Sequence, residues 1–132
     1  LRLGSEREEI SVVNDQEGSP TYTVHLAAGI ARLLDLYIAG DSEAGDIPPD
    51  RRRAFDWHEF ASRIFEARPG RVKNVKPIST YDYIESAGRP IAPRPAYSVL
   101  NCDKIKKKFG IALPRWEVGL MEFLDSKTIQ TK

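Results

Sequence analysis

Residues 12–23, VVNDQEGSPTYT, crowd Asp15, Gln16, Glu17 and Ser19 around Gly18, between two pieces suited to extended backbone. A chain reversal needs only a Gly or an Asn-Gly pair. The surplus of carboxylate, amide and hydroxyl groups suits hydrogen bonding to a polar ligand, so 15–21 reads as a ligand-facing loop. A second group lies in APRPAYS, residues 92–98, where Arg94 stands between Pro93 and Pro95 and Ser98 follows. Proline restricts the backbone on both sides, so the guanidinium is held at low entropic cost, as meeting a phosphate or carboxylate in a fixed place requires. A salt bridge that pins the loop fits the same residues.

Other chemistries have little support. The sequence contains no Gly-x-Gly-x-x-Gly, no Gly-x-x-x-x-Gly-Lys and no Gly-x-Ser-x-Gly, hence neither a phosphate cradle nor a nucleophile elbow. Cys102 reads as an apolar member of a helix. His25 and His58 each lie near a helix start with no further ligand at metal-like spacing except Glu59, which a capping box explains, so no metal site is expected. The pair Glu8-Glu9 falls in a solvated entry segment, and no residue is assigned a catalytic role.

Twenty basic and nineteen acidic residues give a net charge of +1, interleaved along the chain. No basic stripe of the kind that binds nucleic acid is present. Arg51-Arg52-Arg53 and Lys104 to Lys108 read as solvated faces. No apolar run approaches the roughly 18 residues of a membrane span, and a lone cysteine fits a reducing, cytoplasmic setting.

These groups must be positioned by a small set of elements. Ile10 to Val13, short and β-branched, predicts a buried strand. Val24 begins a helix whose face is Leu26, Ala27, Ile30, Leu33 and Leu34, with Thr23 as its N-cap. Residues 40–54 carry prolines, glycines and charges and read as a flexible loop or insertion. Asp56 and Glu59 form a capping box, Phe55 and Phe60 a hydrophobic staple, and Trp57, Phe60, Ala61, Ile64 and Phe65 the core face of the helix that follows. Val72 to Ser79 predicts an edge strand because of Pro77. Residues 84–97, with three prolines, predict an extended loop. Asn101 caps a helix over Cys102 to Phe109, Gly110 ends it, and Trp116, Leu120, Phe123 and Leu124 mark a last helix behind Pro114. The opening Leu1-Arg2-Leu3-Gly4 reads as the end of a helix at a fragment boundary.

Four segments in order carry a family likeness: EREEISVVNDQEGSPTYT (6–23), WHEFASRIF (57–65), VKPIST (75–80) and RPAYSVLNCDKI with FGIALPRW (94–116). Together they resemble the C-terminal half of dTDP-4-dehydrorhamnose reductases, extended short-chain dehydrogenase/reductases that reduce a 4-keto sugar nucleotide. The likeness covers most of the chain apart from about 38–54.

The resemblance implies an α/β fold, few short strands with about four helices, forming one substrate-binding C-terminal domain over 1–132. In such reductases NADPH or NADH sits on an N-terminal Rossmann domain, absent here, that also carries a Tyr-x-x-x-Lys pair. Tyr22, Tyr37, Tyr81, Tyr83 and Tyr97 all lack a lysine four residues on, so the fragment alone is expected to be inactive. The implied partners are a dTDP-sugar substrate and that Rossmann domain, with a homodimer possible. Substrate contacts are expected from Gln16, Thr21, Arg94 and Ser98. The family pattern is broken in two places: His25 stands where Asp is common, and the strand expected before Trp57 finds its nearest candidate in Leu36 to Gly40. A non-catalytic regulatory subunit or binding protein on the same fold is the alternative.

Overall fold

Three β-branched residues in four, Ile10, Val12 and Val13, favour extended backbone, and they form β1 (Glu9–Val13). The computed structural model describes residues 6–40 and 54–129. These divide into two compact units, one from 6–18 and 54–98, the other from 19–40 and 99–129. The expectations for Leu1 to Gly4 and, within 40–54, for 41–53 lie outside the described residues.

In the first unit β1 pairs in parallel with β4 (Asn74–Ile78), from Glu9 opposite Asn74 to Val13 opposite Ile78. The ladder runs on at both ends, with Lys73 N–H donating to Glu8 O at 2.7 Å and Asn14 N–H to Ile78 O at 3.1 Å. Pro77 lies within β4 opposite Val12; it has no N–H, which suits a strand that pairs with β1 alone among the described residues. A parallel pair needs a crossover, and part of it is α2 (Trp57–Ala67), which packs on both strands. Its start follows the capping prediction: Glu59 N–H donates to Asp56 Oδ1 at 2.8 Å, and the rings of Phe55 and Phe60 lie 5.3 Å apart. His58 Nε2 meets Val75 O at 2.9 Å. A carbonyl can only accept, so this nitrogen carries the proton.

A second, antiparallel pair joins β2 (Glu17–Gly18) to β3 (Phe55–Asp56). Phe55 is the most buried side chain of this unit. The other difference from expectation is a helix, α3 (Thr80–Ala87), where residues 84–97 read as extended loop. Ser79 Oγ accepts from Asp82 N–H at 3.0 Å and donates to Asp82 Oδ2 at 2.6 Å. Gly88 stops the helix at φ 61°. Proline acts on its immediate predecessor, so the three prolines constrain nothing before Arg89.

In the second unit α1 (Thr23–Ile38) starts after Tyr22, and no side chain caps it; Thr23 is its first helical residue rather than its N-cap. The same helix absorbs Leu36, Tyr37 and Ile38 and ends in a turn at Ala39 and Gly40, so no strand forms over 36–40, in keeping with the 3-4 spacing that runs through Leu33, Leu36 and Tyr37. α4 (Asp103–Phe109) is preceded by buried Asn101, whose Oδ1 accepts from Asp103 N–H at 2.6 Å. Cys102 therefore occupies the cap, half-buried, instead of the helix body. Gly110, at φ 65°, ends the helix. α5 (Trp116–Ile129) buries Trp116, Leu120 and Leu124, spaced four apart, and Val99 and Ile111 are also buried in this unit. Among the described residues no helix is long and apolar enough to cross a membrane.

Burial departs from the pattern at two strongly apolar segments. No residue of α1 is buried, and Leu26, Ile30 and Leu34 are exposed. In β1, Ile10, Val12 and Val13 are only half-buried.

Candidate functional site

Asp15 and Gln16 leave the end of β1 and close on the first residue of α3. Thr80 N–H donates to Asp15 Oδ1 and Oδ2 at 3.0 and 2.9 Å, and Thr80 Oγ1 donates to Oδ1 at 2.5 Å. Gln16 Nε2 then donates to Thr80 Oγ1 at 2.9 Å. The hydroxyl thus gives its proton to a carboxylate and takes one from an amide. The hydroxyl bond first, and then the amide N–H, hold the Asp15 carboxyl below its ordinary range. Its place at a helix N-terminus also suits a negative charge.

One residue further, the main chain of Glu17 is paired on two sides. It faces Asp56 across the β2–β3 ladder and Tyr97 in a parallel bridge. Glu17 N–H donates to Ala96 O at 2.7 Å, while Ser98 N–H and Ser98 Oγ both donate to Glu17 O, at 2.9 and 3.0 Å. Gly18 lies close to both partners, since a Cβ would stand 3.4 Å from the Phe55 ring and from Ser98 Oγ. Residues 15–18 therefore tie down the start of α3, the 96–98 segment and the lead into α2.

The four expected contact residues separate by unit. Gln16, Arg94 and Ser98 belong to the first, and Thr21 to the second. Gln16 and Ser98 are engaged as described. Arg94 is exposed and makes no hydrogen bond or ion pair among the described residues, so the loop-pinning salt bridge is not seen there. Thr21 is likewise exposed. His25 meets Glu122 Oε2 through Nε2 at 2.7 Å.

Three residues missed by the sequence reading matter at this site. Asp15 was counted only as loop polarity, and Thr80 belongs to a helix that was not recognised. The signal for the helix, and so for Thr80, was Ser79-Thr80-Tyr81-Asp82, a cap followed three residues later by an acid. Tyr97 is the third: its hydroxyl is the buried side-chain polar atom with no hydrogen-bond partner among the described residues, an arrangement that costs about 1–3 kcal/mol if nothing meets it. Chemically the arrangement supplies the Arg94 guanidinium, which has no partner among the described residues, together with hydroxyls and amides. These are groups that bind and orient.

Comparison with known proteins identifies the family. The family model described as "RmlD substrate binding domain" matches residues 1–129. A dTDP-4-dehydrorhamnose reductase of Burkholderia thailandensis is 38% identical over 134 residues, covering 91% of this chain and 43% of that protein. Among solved structures, the dTDP-4-dehydrorhamnose reductase of Bacillus anthracis in complex with NADP superposes with a TM-score of 0.73 at 37% identity, covering 99% of this chain. The Clostridium acetobutylicum enzyme gives a TM-score of 0.78 at 30% identity, covering 96%. The chain spans 41% of each of those two structures.

Proposed function

This chain belongs to the RmlD substrate binding domain family, and on that premise we propose that it is the substrate-side part of a reductase acting on a 4-keto deoxysugar nucleotide. The substrate class follows the names of its relatives, dTDP-4-dehydrorhamnose reductases. In this reading residues 1–132 act as one binding domain, with Gln16, Thr21, Arg94 and Ser98 on the substrate side. The relative from B. anthracis is in complex with NADP, and the full-length protein is proposed to use NADPH or NADH. This chain carries no Gly-rich phosphate turn, and no hydride or proton step is assigned to it.

One observation supports the binding role above the others: Arg94, exposed on its proline-flanked segment, has no partner among the described residues, while Gln16 and Ser98 are held in place. A planar guanidinium left available matches the oxygens of a sugar-nucleotide diphosphate. Replacing Arg94→Ala in the full-length protein should raise KM for the sugar nucleotide about tenfold, the cost of one charge-assisted contact, with kcat within about threefold. Unchanged kinetics would remove Arg94 from the site.

A further inference from the structure

Both ends of the segment from Thr80 to Ser98 are fastened to the same short stretch of chain. Thr80 is held at one end by the Asp15 carboxylate and the Gln16 amide. Ala96 and Ser98 are held at the other end by the main chain of Glu17. Arg94 lies two residues before the second attachment. Of these fastenings the one at Thr80 depends most on a side chain, because a single carboxylate accepts the amide and the hydroxyl together. Carboxylate acceptors make hydrogen bonds roughly twice as strong as neutral ones. An amide in its place offers one oxygen and one nitrogen that cannot accept, so the bond from Thr80 N–H to Oδ2 has no counterpart.

We propose that Asp15 is a positioning residue for substrate binding: its bonds to Thr80 set where the 80–98 segment runs and so hold Arg94 in its binding geometry. The inference rests on the assignment of Arg94 to the substrate side. Its physical content is that β4 fixes the chain only as far as Ile78, and a segment fastened at both ends beyond that point is less well defined when one fastening is cut, even though no residue near Arg94 has changed. Thr80→Ser, which keeps the hydroxyl and the amide, should behave as the native residue does. Asp15→Asn and Thr80→Val each weaken the same anchor and should not add when combined, as expected for members of one network.

The test uses the full-length protein with a sugar-nucleotide substrate and two readouts. Asp15→Asn should raise KM about fivefold with kcat within about twofold, in line with the loss of one net hydrogen bond's positioning effect. In an Arg94→Ala background the same substitution should change KM by less than about twofold, since the group it positions is gone. A general loss of structure would affect KM in both backgrounds alike, and that result overturns the proposal. Hydrogen exchange supplies the second readout: the amides of Glu17 and Ser98, bonded across the far anchor, should exchange faster in Asp15→Asn, and unchanged exchange there also overturns it. If Arg94→Ala alone leaves KM unaltered, the substrate reading of Arg94 fails, and the exchange rates still decide whether Asp15 controls the segment.

Discussion

At Asp15 the bonds from Thr80 favour the ionised form, which gives the loop a pH dependence of known sign. The folded-state pKa lies below the ordinary aspartate value of about 3.9. Stability from this group is therefore present above that value and lost as the pH falls through the lowered one. Glu9 is shifted the same way, first by the Lys76 side chain and then by Asn74, so acid sensitivity alone does not isolate Asp15. Comparing urea midpoints of the native protein and Asp15→Asn between about pH 2 and 6 does: the native advantage should shrink with acidification, and a constant difference would show that the carboxylate charge is not involved. Gln16 and Ser98 were legible as polar residues with a task, yet both turn their side chains to protein groups. Their partners, Thr80 and the carbonyl of Glu17, are far away in sequence, and spacing could not have named them.

At the level of elements, capping chemistry is local and translated from sequence to structure at Asp56 and Gly110, whereas Thr23 is the first residue of α1 and Asn101 stands one residue before the cap, Cys102. Asp56 with Glu59, Asn101 before Asp103, and Gly110 after Phe109 each act within a few residues of themselves. α3 was legible by the same rule but was obscured by the prolines that follow it. The strand sought at 36–40 failed for the opposite reason, since family expectation was set against an unbroken helical spacing. Packing between elements was hidden, and Gly119 illustrates it: a Cβ there would lie 2.8 Å from Tyr22 Cβ, a group too near the backbone to swing aside. Gly119→Ala gains up to about 1 kcal/mol in helix propensity but must push α5 away from the start of α1. We expect a net destabilisation of about 1–2 kcal/mol from overpacking, measured by urea unfolding; an Ala variant as stable as the native chain would show that the contact yields freely.

Across the whole molecule, burial is unevenly shared between two helices that both carry apolar residues at helical spacing in sequence. Leu124 is 3% exposed and Leu34 is 54% exposed. Leu124→Ala should cost about 2–5 kcal/mol, as cavity-forming core substitutions do, and Leu34→Ala within about 0.5 kcal/mol, as exposed ones do. Thermal unfolding of the two variants of the chain described here decides between this and a shared core. Hydrophobic periodicity identified α1 as a helix with an apolar face, but periodicity cannot say what covers that face. The family and the α/β class were readable from four short segments in order, whereas the division into two units depends on contacts no segment displays. The central claim, that this chain supplies substrate-binding groups, is tested most directly by calorimetric titration of the full-length protein with a dTDP-sugar. Native protein should bind, and Arg94→Ala should bind about tenfold more weakly, or about 1.4 kcal/mol less favourably. Equal affinity in the two proteins, or no binding by the native one, would contradict the account.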